Sequence, residues 1–381
     1  MPLLSHGFRL FFLAATIWAV VAMLLWIGML AGIWWPPIAF DVVSWHAHAL
    51  LVGYLGAVLA GFLLTAVPNW TGRLPVRGAP LLILFLLWLA GRIAVLLSLR
   101  LPGLAVMAAD LAFLAALALF LGREIVAGRT WKNLPVLVLL GSFLAGAAWF
   151  HLDHRAGLRP VDGGGFRLML GMAVMMIALI GGRIVPSFTR NWLVRQGRAE
   201  RPAPPMQGFD RLALGGLLLA VLLWVFEARG AGVALLFAGV LHLVRLARWH
   251  GPLTWREPLL GVLHLAYLFV PLGSFGLGLA LLLDTPSGLA LHLWTAGGIG
   301  LMTLAVMTRA SLGHTGRELH AGPATQAIYL ALALAVAFRL LAGPLIPPHL
   351  AYALSGSLWI AGFAGFVAVY GPILLRPRLR A

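Results

Sequence analysis

The sequence contains no cysteine in 381 residues. That absence excludes disulfides, thiolate metal sites, iron–sulfur clusters and haem attached through cysteine; a b-type haem held by imidazole alone stays open. Charge is also scarce. Only 10% of residues are Asp, Glu, Lys or Arg, and 11 of them are acidic. With 62% hydrophobic residues and a mean hydropathy of +0.98, the chain is too apolar for a soluble domain, so most of it lies in lipid. It has no nucleic-acid module and no basic face interleaved with aromatics, so the net charge of +16 does not point to nucleic acid. In a membrane chain such charge reflects topology and contact with anionic membrane lipid. The apolar run from Phe11 is too long for a signal peptide and lacks a small-residue cleavage pattern, so it reads as the first span.

Hydropathy predicts an all-α integral membrane protein, a single bundle of twelve spans over residues 1–381. The spans fall at about 9–31, 45–67, 80–100, 102–121, 134–152, 166–187, 209–227, 231–249, 258–283, 288–308, 323–343 and 350–374. The even-numbered connections and the C-terminal tail carry 18 Lys and Arg residues, and the odd connections carry 5. By the positive-inside rule both termini are cytoplasmic. An Arg- and Pro-rich cytoplasmic link at about 189–208 divides the chain six spans plus six, and the two halves show no convincing repeat of each other.

The stretch from Trp45 to Gly72 organises the rest. It begins Trp-His-Ala-His, continues for about twenty uncharged residues, enough to cross a bilayer core of about 30 Å, and ends in Pro68-Asn69-Trp70-Thr71-Gly72, which reads as a polar turn. Imidazole is a common metal ligand, and ionisable groups at membrane depth mark function. His46 and His48 project about 200° apart on a regular helix, so they cannot grip one metal together. Either each faces its own centre, or one is a ligand and the other a support. His292 opens the tenth span at matching depth and is the candidate axial partner. His264 shares a helix face with Tyr267, as a ligand, a proton relay or a hydrogen-bonded structural pair. His151, His154 and His349 also lie at outer span ends, where a solvated histidine is the plain alternative; His242 reads as structural. Arg9, Arg183 and Arg309 lie towards the inner surface, and Arg92 sits well inside the third span, where an unpaired guanidinium costs several kcal/mol. With so few acids in the spans, these arginines suit haem propionates, an anionic substrate or lipid phosphate.

Several of these stretches together resemble the NnrS family of bacterial membrane proteins of the nitric oxide response. They are Gly7-Phe8-Arg9, Trp45-His46-Ala47-His48, Pro68 to Gly72, Ala90-Gly91-Arg92, Gly181-Gly182-Arg183 through Pro186 to Asn191, Leu263-His264 with Tyr267, His292, and Val306 through Arg309 to His314-Thr315-Gly316-Arg317. The chain departs from the family's pattern at Ala49, where an acid commonly follows the second histidine, and at Leu10, where proline is common.

The resemblance implies a haem-bearing protein, with copper as a further metal, that protects cells from nitric oxide. There is a weaker likeness to the haem-copper oxidase and nitric oxide reductase core, which places haem ligands on spans two and ten. The sixth span here has no histidine, so the usual copper cluster of that superfamily is not supported. The leading reading is a haem protein that binds and reduces nitric oxide, with His46, His48 and His292 as ligands. In that reading Tyr267, His264 and His314 carry protons, and quinol is the electron source because no soluble carrier domain is present. A non-enzymatic haem- or copper-binding factor and a secondary transporter are the competing readings. The first predicts cofactor without turnover, the second no cofactor at all.

Overall fold

The computed structural model describes residues 2–343 and 345–379. Arg380, counted among the tail's basic residues, lies outside the described residues. The described chain is all-helical, without strands. Its long helices are α1 (Gly7–Leu30), α2 (Val42–Thr71), α3 (Ala79–Leu96), α4 (Gly103–Ala127), α5 (Leu134–Arg155), α6 (Gly164–Arg195), α7 (Gly208–Val225), α8 (Ala231–Ala247), α9 (Pro258–Leu282), α10 (Gly288–His314), α11 (Pro323–Leu341) and α12 (Pro348–Leu375). Eleven of the described helices are long and apolar enough to cross a membrane, which makes this a multi-pass membrane protein. The exception is α8, where the expected span 231–249 is a 17-residue helix. At 1.5 Å per residue it reaches roughly 26 Å, short of the bilayer core.

Two boundaries differ from expectation for a local reason. Pro68 does not end α2. It sits inside the helix, and Gly72, with φ +70°, supplies the left-handed residue that terminates it, so Pro-Asn-Trp-Thr is a last helical turn and not a polar turn. Likewise α6 runs through Pro186 to Arg195 and shortens the central link.

The chain forms two compact units. The first comprises residues 1–169, 307–318 and 359–381; the second comprises 170–306 and 319–358. In the first, Phe8, Phe11, Phe12, Trp45, Tyr54, Phe113 and Phe143 are fully buried. Glycines let its helices approach closely: a Cβ at Gly61 would overlap the Phe12 ring, and one at Gly91 would lie 3.0 Å from the Asp110 Cα. Arg9 Nη1 donates to the carbonyls of Leu374 (2.7 Å) and Arg376 (2.6 Å), and Trp359 Nε1 donates to Ala19, so α1 is tied to α12. In the second unit the largest fully buried side chains are Trp249, Trp294, Arg245 and Tyr267.

A short repeat, not between the halves, joins three helices. His48, Gly53, Gly56, Thr71, Gly72 and Arg73 on α2 fall at the same spacing as His292, Gly297, Gly300, Thr315, Gly316 and Arg317 on α10. On α6, Gly171, Pro186 and Thr189 keep the spacing of Gly53, Pro68 and Thr71, and Phe166 stands in the histidine position. Local structure repeats with the sequence. In both α2 and α10 the residue after the histidine begins a π-helical stretch, Ala49–Leu55 and Leu293–Leu301. Such stretches are rare and concentrate at functional sites. Thr71, Thr189 and Thr315 each return their hydroxyl to the carbonyl four residues back, at 2.9, 2.9 and 2.6 Å. Gly316, at φ +75°, has the same left-handed conformation as Gly72.

The π stretch of α2 is held from two sides. Trp18 Nε1 donates to the Ala49 carbonyl (2.8 Å) and Trp88 Nε1 to the Gly53 carbonyl (2.9 Å). Asp41 caps the helix start: its Oδ1 accepts from the Val43 and Ser44 amides, each at 3.1 Å, with Arg159 Nε at 3.4 Å. Partial burial works to raise the Asp41 carboxyl, but the Ser44 hydrogen bonds and the Arg159 guanidinium outweigh it and hold the group below the usual carboxylate range. Asp41→Ala is therefore expected to cost about 1 kcal/mol of thermal stability in detergent. Because the folded-state value is depressed, the cap's contribution is complete above the unfolded carboxylate value near 4 and disappears as pH falls through the folded value. Melting curves of wild type and Asp41→Ala should converge on acidification.

Candidate metal and cofactor site

The first unit contains one deeply buried polar cluster. Close packing at Gly91 brings α3 onto α4, and Arg92 Nη2 meets Asp110 Oδ1. From α2, His48 Nε2 lies 2.8 Å from Asp110 Oδ2; from α5, His151 Nε2 lies 2.9 Å from the same oxygen. Asp110 and His48 are wholly buried, and Arg92 and His151 are 2% and 4% exposed. The Phe40 ring closes over the group, 5.4 Å from each of His48 and His151 and 4.8 Å from His154.

Protonation follows from the partners. An ionised carboxylate only accepts, so both imidazoles donate from Nε2. His48 Nδ1 is then an unprotonated nitrogen, buried and without a hydrogen-bond partner. One ring nitrogen tied to a carboxylate and the other left open is the arrangement that orients a ligating histidine. The ligand atoms of His48, Asp110 and His151 also lie within 4.8 Å of one another, close enough to hold one metal ion directly. The other imidazole of the Trp-His-Ala-His stretch points elsewhere, as helix geometry demands: His46 stacks on Trp26 at 4.2 Å.

The second unit has its own network. Arg245, fully buried, donates from Nε to Asp210 Oδ1 (2.6 Å) and from Nη1 to the Ala178 carbonyl and the Tyr267 oxygen, both at 2.8 Å. Gly182 makes room for the guanidinium, which a Cβ there would overlap. His242 Nε2 donates to the Ala213 carbonyl (3.1 Å), so its Nδ1 accepts the Tyr267 hydroxyl proton across 2.8 Å. Tyr267 is thereby held between a cation and a proton acceptor. His264 does not pair with it. His264 Nε2 donates to Thr189 Oγ1 (2.9 Å), and its Nδ1 is buried without a partner. His292 Nδ1 donates to the Gly288 carbonyl of its own helix (2.6 Å), which fixes Nε2 as the lone-pair nitrogen.

The remaining expected residues are placed as follows. Arg9 caps the end of α12. Arg183 on α6 and Arg309 on α10 stand at equal spacing before Thr189 and Thr315 and are each partly exposed. The His314 ring packs 5.4 Å from that of Phe8.

A family model described as NnrS protein matches residues 2–378. The chain belongs to the NnrS family. No curated protein matches it. NnrS membership associates the chain with the nitric oxide response and with haem and metal binding. The carboxylate beside His48 comes from Asp110, across the helix interface, and the residue after His48 is Ala49.

Sequence reasoning singled out His48 and Arg92 but not Asp110, the group that joins them, and left His151 undecided. The signal was present: Asp110 in the fourth span and Arg92 in the third lie about one to two turns from the same short connection. The scarcity of acids suggested an external anion for Arg92, and the structure supplies an internal one. Removing it should be costly. Asp110→Ala strands a buried guanidinium and is expected to destabilise the protein by about 3–5 kcal/mol. Arg92→Leu with Asp110→Ala should recover part of that loss, because the stranded charge goes too. Thermal unfolding of both variants in detergent, read as a double-mutant cycle with Arg92→Leu, measures it.

Proposed function

We propose that this NnrS protein is a haem-dependent protein of the bacterial inner membrane that binds nitric oxide and reduces it with quinol electrons. In this reading α8 completes the twelve spans as a short crossing, and both termini face the cytoplasm. The overall reaction is two nitric oxide and one quinol giving nitrous oxide, water and quinone. The observation that carries the reading is the pair of repeat-equivalent histidines, His48 and His292, each with one ring nitrogen tied and the other open. Each histidine fits a haem ligand within its own unit: an imidazole with a fixed tautomer, no competing thiolate, and a π-helical stretch directly after it.

Haem, when bound, supplies a ferrous iron that takes up the diatomic gas. The rest is the work of the chain. The Gly288 carbonyl keeps His292 Nε2 free as a ligand. Asp110 orients His48, while Phe40 and Phe150 keep water away. Tyr267 holds a proton directed at His242 Nδ1, and Arg245 steadies the phenol oxygen when that proton moves. His264, beside Thr189, extends the proton route within the second unit, where Arg183 is a haem contact; in the first unit His314 carries protons and His46, Arg9 and Arg309 are haem contacts, while Arg92 acts through Asp110.

The trio His48, Asp110 and His151 favours a second reading: a bound divalent metal, such as copper, and a role in metal homeostasis without turnover. An absorption spectrum of the purified protein separates the two. The haem reading expects a Soret band that shifts on reduction and on anaerobic addition of nitric oxide. It also expects loss of that band in His48→Ala or His292→Ala, and nitric oxide consumption that requires quinol. No Soret band before or after haem reconstitution, with about one equivalent of metal lost on His151→Ala, would establish the second reading instead.

A further inference from the structure

The repeat that equates His48 with His292 extends to the helices that follow them. After α2 come α3, with Arg92, and α4, with Asp110. After α10 come α11, with Arg339, and α12, with Tyr352. Arg339 falls about one helical turn further along its helix than the spacing of Arg92 would put it. The helix that carries it, α11, packs against the start of α10, which carries His292. The two sites differ in one respect. In the first unit the guanidinium meets a carboxylate from the third helix. In the second unit the third helix offers a phenol ring: Arg339 lies over the Tyr352 ring at 4.6 Å and leaves Nη1 buried without a partner. Among the described residues no carboxylate pairs with Arg339. With the termini cytoplasmic, as proposed above, α11 ends on the face opposite the arginine-rich loops, so the topology rule does not account for Arg339. A guanidinium in that setting is costly until an anion meets it.

We infer that Arg339, beside His292, is an anion site of the second unit that receives a carboxylate from a bound ligand, in the role Asp110 plays within the first unit. A haem propionate is one source, and in that form the inference rests on the haem reading above. A free carboxylate is the other source of the same chemistry.

The test compares binding of ferric haem b and of its dimethyl ester, which lacks carboxylates, to the full-length protein in detergent by Soret titration. Calorimetric titration with butyrate probes the free anion. A preference for haem over its ester of about tenfold or more, erased by Arg339→Gln and partly kept by Arg339→Lys, supports the site with propionate as its ligand. If neither haem binds but butyrate does, and Arg339→Gln abolishes that binding, the carboxylate site stands and the haem reading fails. Equal affinity for haem and ester, with no Arg339-dependent uptake of butyrate, overturns the inference while leaving the haem reading in place. The wild-type comparison needs no variant, so poor folding of Arg339→Gln cannot rescue the idea.

Discussion

One carboxylate holds the first unit's polar interior together. Asp110 accepts from Arg92, His48 and His151, so four helices, α2 to α5, converge on a single pair of oxygens. In a low-dielectric interior this is a high-stakes arrangement. Fully satisfied, it specifies one packing; with a member missing, it leaves a charge that neither lipid nor apolar side chains can solvate. It also decides which histidine nitrogen remains free, and so couples the fold directly to ligand chemistry.

The backbone obeys the same constraint at the π-helical stretches. Changing the hydrogen-bond period disturbs the carbonyl ladder, and in lipid there is no water to mend it. Trp18 and Trp88 answer this in α2 by donating to Ala49 and Gly53. The irregular backbone sits immediately after His48, so the indoles that repair the helix also fix the pitch at which the imidazole enters the cluster.

Much of the helical layout could be read from hydropathy alone, because a bilayer imposes one length on every span. What hydropathy could not supply was which polar side chains meet. His48 and Arg92 stood out as ionisable groups in apolar helices, yet their partner Asp110 lies on another helix, and pairing across helices leaves no local period. Tyr267 and His264 shared a face by spacing, but one turns to His242 and Arg245 and the other to Thr189, since helix neighbours outvote the i,i+3 relation. Pro68 looked like a terminator because proline usually is one; tertiary packing carried α2 on to Gly72. The repeat escaped a comparison of halves because it relates α2, α6 and α10, and half of its evidence is conformational: π stretches, threonine back-bonds and left-handed glycines.

The tie between Arg9 and the end of α12 bears on biogenesis. Every residue of the Asp110 cluster is made within the first five helices, so those charges can neutralise one another while the rest of the chain is still on the ribosome. Arg9 is made earlier still, yet the carbonyls that receive it are among the last to appear. The first unit thus has a polar interior that matures early and a seam that closes late. A chain truncated before α12 would reach the membrane with its central charges settled and its first helix held by α2 but not by α12, the Arg9 guanidinium lacking the carbonyls that receive it.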